Sequence, residues 1–286
     1  MPAPLLCVDA PSLLYRAFFA LPSSIRGTDG APVNALLGTA NYLLRVVEDR
    51  APRAVVCCLA QESAAYRVEL YPPYHADRPA MPDELVPQFE AAPALFTAFG
   101  WHVAHDDALE ADDLLAAHAA AEARARGRAL ILTGDRDMFQ CAGDAVTILY
   151  VRTGREGPEE VDAKEVRRRY GIPPEMVPDF IALRGDPSDG LPGAPGIGEK
   201  TAADLLRRHG SLEAALASPT GERPRVAGAL RDHRDELLAF KDIATLRPPK
   251  VSRVPDRATD RAGGAAAAAK LGMNALARRL QEAVGA

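Results

Sequence analysis

Eight carboxylates stand where apolar runs of the sequence end. They are Asp9, then Glu110, Asp112 and Asp113 in "LEADDLL", then Asp135 and Asp137 in "LTGDRD", then Asp186 and Asp189 in "RGDPSD". Taken singly, each piece has a plain explanation, since acids in a first helical turn complement the helix dipole and "DP" and "GD" are common turns. Gathered at one place they would repel one another by on the order of several kcal/mol per pair, so a shared location requires cations. Hard oxygen ligands of this kind suit Mg²⁺ or Mn²⁺. Two such ions can activate water and stabilise the leaving oxygen in phosphodiester cleavage.

Other catalytic apparatus is missing from the sequence. It holds no G-x-S-x-G elbow, no H-E-x-x-H and no Walker A pattern. The histidines, His75, His102 and His105 among them, show no ligand spacing, so zinc chemistry is not expected. Cys7, Cys57, Cys58 and Cys141 have no C-x-x-C spacing, and reduced thiols in a cytoplasmic protein are expected. No apolar run is long enough to span a bilayer. The net charge of −5 argues at first against a nucleic-acid partner. It averages over clusters at Arg124, Arg126 and Arg128, at Arg167 to Arg169, and at Arg207 and Arg208, which permit a polyanion without requiring one.

The acids need elements to position them. "PLLCVDA", "RAVVCCLA", "WHVA", "RALILTGD" and "AVTILYV" read as short buried strands, separated by helical patterns over about 12–20, 33–48, 82–99 and from 109 onward. Strand and helix alternate, which implies a mostly parallel sheet covered on both faces. Such sheets place their sites beyond the carboxyl ends of the strands, where Asp9, Asp135 and Asp137 fall. After about residue 151 the pattern changes to short helices, over roughly 162–170, 175–184, 199–208, 211–217 and 225–245. An Ala/Gly-rich stretch over 258–269 reads as a linker with too little to bury, and "MNALARRLQEAV" as a last helix.

The stretch "LPGAPGIGEKTAADLLRRHGSLEAAL" is the most specific in the chain. Gly193, Gly196 and Gly198 leave backbone amides bare just before a helix whose first turn holds Lys200 and Thr201. Amides of that kind bind phosphate oxygens without reading bases. Two short helices joined through such a turn form a hairpin suited to a duplex backbone.

Together "VDAPSLLYRAFF", "YRVELYPPYHADRPAMPDEL", "LEADDLL", "LTGDRDMFQ" and the glycine stretch resemble, in order and spacing, the bacterial 5′-nuclease or flap endonuclease family: the 5′-3′ exonuclease domain of DNA polymerase I and its stand-alone relatives. The resemblance implies an α/β, PIN-like fold with a helical arch, and a helical second half containing a helix-three-turn-helix (helix-hairpin-helix) DNA-binding element. It implies a nuclease core over 1–160 with its arch at about 62–100, a DNA-binding region over 161–257, and the linker and last helix over 258–286. The activity implied is metal-dependent 5′-3′ exonuclease or 5′-flap endonuclease cleavage of DNA where duplex meets 5′ single strand, on flap, nicked or 5′-overhang substrates. The protein is expected to be a stand-alone monomer without membrane attachment.

Residue by residue, the resemblance puts Asp9, Glu110, Asp112, Asp113, Asp135, Asp137, Asp186 and Asp189 at divalent-metal positions holding two or more ions. It puts Tyr66, Arg67, Tyr74 and Arg78 on the arch, with Arg67 at the scissile phosphate. Gly193, Gly196, Ile197, Gly198, Lys200 and Thr201 fall on the duplex-binding hairpin, with K⁺ a further expected ligand. The chain also departs from the family pattern. Leu59 is aligned with a metal-binding Asp, Gln61 with a Lys that acts at the scissile phosphate, Ala10 and Pro11 with Gly-Asn, and His75 with a second Lys. Weakened catalysis is expected, with a flap-binding protein that has lost its chemistry as the alternative. A PIN-type ribonuclease would share the acids and leave the hairpin unexplained.

Overall fold

The structure, a computed structural model, describes residues 3–152 and 157–285. Five strands, β1 (Leu5–Asp9), β2 (Ala54–Ala60), β3 (His102–Asp106), β4 (Ala129–Thr133) and β5 (Val146–Tyr150), run parallel. A short β6 (Glu159–Val161) joins the edge antiparallel to β5. The order across the sheet is β3-β2-β1-β4-β5-β6. The inner strands β1, β2 and β4 are buried nearly throughout, which is why they read as unbroken apolar runs rather than alternating ones. From β1 the chain moves outward to β3, then crosses back and moves the other way from β4. The crevice beyond the carboxyl ends of the sheet therefore opens at β1 and β4.

Helices α1 (Ala10–Ala20), α2 (Asn34–Arg50), α3 (Ala65–Leu70), α4 (Val86–Ala98) and α5 (Ala111–Arg124) alternate with the strands. Then follow α6 (Ala163–Tyr170), α7 (Val177–Arg184), α8 (Glu199–His209), α9 (Leu212–Ala217), α10 (Pro224–Asp232), α11 (Arg234–Ala244), α12 (Arg261–Lys270) and α13 (Asn274–Gly285). Local chemistry sets several ends: Asp162 caps α6, Gly171 closes it at φ 69°, and Ser211 caps α9. The single helix expected over 225–245 is two, parted at His233. The segment expected as an arch also divides. Residues 61–84, with α3, line or border the crevice, whereas Leu85, Ala92, Leu95 and Phe96 fix α4 in the core.

The expected linker over 258–269 is corrected by the fold. Most of it is α12, whose Ala265 and Ala268 are buried. Its glycines permit close packing: a Cβ on Gly264 would stand 2.1 Å from the Phe99 ring, and one on Gly263 would stand 2.4 Å from the Ala98 carbonyl oxygen. Small residues here mark close contact with α4 rather than too little to bury. One apolar layer, with α5 and the helical second half, covers one face of the sheet. The other combines α1, α2 and α4 with Met273, Leu276, Ala277 and Leu280.

Candidate active site

Asp9 ends β1 and caps α1, accepting the Ser12 backbone N–H at 3.0 Å and the Thr133 hydroxyl at 2.6 Å. Thr133 ends β4, the neighbouring strand, and its hydroxyl oxygen also accepts the Asp135 backbone N–H at 2.9 Å. One threonine therefore ties the two acids at the switch in strand order. Asp135 in turn accepts the Asp137 N–H at 2.8 Å, and Glu110 is the N-cap of α5 with Asp112 and Asp113 in its first turn. Asp186 and Asp189 lie in the turn after α7, where Asp186 accepts the Ser188 N–H at 2.9 Å. A cavity of about 930 Å³ is lined by Asp9, Glu110, Asp112, Asp135, Asp137, Asp186 and Asp189.

Asp113 does not line it. Fully buried, it faces Arg67 at 3.4 Å and accepts the Arg247 backbone N–H at 2.6 Å, while its other oxygen has no hydrogen-bond partner. Asp113 is turned about 100° around the helix axis from Asp112, toward Arg67 and the Arg247 backbone.

Charge divides the acids into two sets. Glu110 pairs with Arg67, Asp186 with Arg184, and Asp189 with both His75 and Arg78. Asp9, Asp112, Asp135 and Asp137 form no ion pair among the described residues. Burial raises the Asp135 carboxyl to about 7, helped by the charges of Asp189, Asp9 and Asp186 and opposed by the Asp137 N–H. Burial also lifts Asp112 and Asp137 well above the usual carboxylate range, with Asp135 the largest charge acting on each. Asp9 is raised by burial against the hydrogen bonds from Thr133 and Ser12. Groups that depress one another's ionisation in this way form an oxygen-only donor set short of positive charge, which fits a hard divalent cation. Among the described residues no three of these side chains close around a single point.

Of the expected arch residues, Arg67, Tyr74 and Arg78 line the cavity and Tyr66 does not. Two guanidinium groups approach the Tyr66 ring, Arg247 at 3.9 Å and Arg67 at 5.3 Å. Arg67 is only 3% exposed. Burial opposes its charge, and the anions around it, Glu110 first, outweigh that and hold it protonated. Its nearest partners are thus the acids themselves. Tyr74 donates to Glu110 at 3.1 Å, and the Ala64 N–H reaches the same carboxylate at 2.8 Å. His75, at φ 57°, stacks on Tyr74 and bridges Ser63 to Asp189.

Leu59, expected where the family has a metal-binding Asp, does not face the acids. Cys58 pairs with Asp9 in register, and side chains alternate along a strand, so the residue of β2 on the Asp9 face beyond Cys58 is Ala60. Ala60 lines the cavity, whereas Leu59 is buried in the apolar layer on the other face. Gln61 and Glu62 line the cavity, and among the described residues no lysine does. The tie through Thr133 was also missed; its only sequence signal is its place two residues before Asp135.

The glycine hairpin separates into inward and outward residues. Gly193, at φ 66°, is buried, and a Cβ there would stand 2.3 Å from the Gly185 nitrogen. Ile197 is core. Gly196, Gly198 and Lys200 are exposed and Thr201 half-buried, so of the residues expected to meet the duplex those four reach the surface.

Comparison with known proteins agrees with this architecture. Residues 4–171 match the "5′-3′ exonuclease, N-terminal resolvase-like domain" and residues 172–255 the "5′-3′ exonuclease, C-terminal SAM fold". A 5′-3′ exonuclease of Mycobacterium tuberculosis is 36% identical over 315 residues, covering 99% of this chain and 98% of that protein. DNA polymerase I of Mycobacterium bovis is 36% identical over 254 residues, covering 88% of this chain, and the match spans 28% of that protein's length. The fold resembles that of the T5 5′-exonuclease with bound zinc ions, with a TM-score of 0.68 at 16% identity over 98% of both chains. With both halves matched in order, and a relative alike over its whole length, the chain belongs to the 5′-3′ exonuclease family.

Proposed function

We propose that the protein hydrolyses DNA phosphodiesters in a divalent-metal-dependent reaction where duplex meets a 5′ single strand, as a 5′-3′ exonuclease and 5′-flap endonuclease. The observation that carries this is the set of four acids that form no ion pair among the described residues, Asp9, Asp112, Asp135 and Asp137, in one cavity at the switch in strand order. These would hold Mg²⁺ or Mn²⁺, with Glu110, Asp186 and Asp189 at the margin. Ions of this type supply a water of lowered pKa and a Lewis acid for the phosphate oxygens. The chain's own residues do the rest. Thr133 fixes the Asp9 carboxylate, and the Asp137 N–H fixes that of Asp135. Arg67, held between Glu110 and Asp113, keeps the acidic helix start in place and stands at the cavity wall where a phosphate would enter. Arg78, half-exposed at the same wall, presents a guanidinium to a bound strand. Gly196, Gly198, Lys200 and Thr201 would grip the duplex backbone, with K⁺ as a further ligand there.

The test is cleavage of a 5′-flap oligonucleotide with Mg²⁺ or Mn²⁺. Asp135→Ala is expected to lower the rate by at least about a hundredfold, the scale of losing charge stabilisation at the reacting phosphate. Equal rates would sink the assignment. The presence of Ala60 on the Asp9 face, and of no lysine among the described residues of the cavity lining, favours one second reading, a flap-binding protein without cleavage. Tight binding with no cutting at any metal concentration would select it.

A further inference from the structure

Among the described residues four arginines line the cavity, Arg67, Arg78, Arg136 and Arg184. Three are matched to acids: Arg67 to Glu110 and Asp113, Arg78 to Asp189, and Arg184 to Asp186. Arg136 forms no ion pair among the described residues, although Asp135 and Asp137 flank it in the chain. It is exposed, and its Nε donates to the Tyr150 hydroxyl at 3.1 Å. That bond holds the side chain and leaves the two terminal guanidinium nitrogens without a partner among the described residues. Arg136 belongs to the sheet and the helical half, not to residues 61–84 that carry Arg67 and Arg78. The turn after it docks on α11, where Gln140 donates to the Ala244 carbonyl at 2.9 Å, and the hydrogen bond to Tyr150, then Tyr170 of α6 and Asp186 after α7, favour its charge against partial burial.

Resting on the nuclease reading above, we propose that Arg136 binds the phosphodiester next to the scissile one, on its duplex side, and so fixes which bond lies over the acids. A strand brings one phosphate with every nucleotide. The scissile phosphate would meet the metal ions, whereas its neighbours meet an acidic floor that repels them unless a cation stands beside them. The terminal nitrogens of an arginine match a phosphate with two hydrogen bonds, and those of Arg136 are the pair in this cavity not engaged with a carboxylate. The side follows from the path of the chain. Asp186 and Leu191 exchange backbone hydrogen bonds at 2.8 and 2.9 Å, which closes the acidic turn and starts the hairpin directly beside it. A duplex strand running from the hairpin to the four acids therefore arrives on the side of the helical half, where Arg136 stands.

Anisotropy with Mg²⁺, in an Asp9→Ala background so that cutting does not intervene, uses 5′-flap duplexes with a methylphosphonate, a phosphodiester without its charge, at each linkage around the junction in turn. On the unmodified flap Arg136→Ala is expected to weaken binding about tenfold, the scale of one charge-assisted contact. At a single linkage the methylphosphonate should weaken the parent by a similar factor and Arg136→Ala by less than about twofold. That linkage should lie next to the bond cut by the unaltered protein, on its duplex side. With the acids intact, Arg136→Ala should also spread cutting over neighbouring bonds, read at single-nucleotide resolution. An unchanged affinity, equal methylphosphonate losses in both proteins at every linkage, a cancelling linkage on the flap side, or cutting that stays on the parent bond overturns the proposal. The nuclease reading fails separately, through absence of metal-dependent cutting by the unaltered protein. A protein that cuts nothing yet shows a cancelling linkage within the duplex keeps the contact and loses the chemistry, and one that binds no flap overturns both.

Discussion

Residues 59 and 60 differ by one position and by a whole environment. Leu59→Asp would set a carboxylate among Val55, Cys57 and the apolar layer behind them, where an unpaired charge costs on the order of 3 kcal/mol or more. Thermal unfolding should show that loss, with no gain in cleavage. Ala60→Asp would instead place an oxygen donor on the Asp9 face, and should raise the Mg²⁺-dependent rate or the apparent metal affinity about tenfold, read by titrating Mg²⁺ in the flap assay. A stable Leu59→Asp protein with raised activity would reverse the facing of β2. The gathering of seven of the eight acids at one cavity was legible in the sequence, because residue type and position at the ends of apolar runs survive without coordinates, whereas the inward turn of Asp113 was not. The offset between 59 and 60 was not, because facing is set by register against β1, and register belongs to two segments at once. Arg67 was legible as a site residue, but its burial between Glu110 and Asp113 was not, since both partners lie more than 40 residues away.

The hairpin between α7 and α8 shows the same division at the level of an element. Its glycines look alike in sequence and do different work. Gly193 takes a positive φ against the Gly185 backbone, so Gly193→Ala meets both strain and contact and should cost about 2 kcal/mol or more in chemical denaturation. Gly198 has φ −91° and nothing near a built Cβ. Gly198→Ala should therefore leave stability within about 0.5 kcal/mol while reducing duplex affinity, measured on flapless DNA, because a methyl group shields amides a phosphate would approach. Equal stability losses in the two variants would refute the separation. At this scale the long alternating elements were readable from apolar periodicity. β6 was not, being three residues on an edge, nor α12, whose Ala/Gly composition matches both a loose linker and a closely packed helix.

For the whole molecule, a net charge of −5 hides an internal imbalance concentrated in one cavity. Asp9, Asp112, Asp135 and Asp137 all titrate above their unfolded values, so the folded state binds more protons than the unfolded one between about pH 4 and, for Asp135, about 7. Stability of the metal-free protein is therefore retained at the acid end of that window and falls as pH rises through it. Melting temperature in EDTA should decline from pH 5 to pH 7.5. A divalent ion at about a hundred times its dissociation constant should return about 2.7 kcal/mol at the upper end. A flat profile, or no effect of Mg²⁺ and Mn²⁺, would disprove the coupling. The closing helices carry a different consequence. Thr28 donates to the Lys270 carbonyl at 3.0 Å, Arg53 reaches the Val254 carbonyl at 2.7 Å, and Leu276 and Leu280 finish the layer that Leu6 and Val8 begin. During synthesis, that side of the sheet waits for α12 and α13 to leave the ribosome. Until then a wide apolar surface stays open to chaperones, proteases or a second nascent copy.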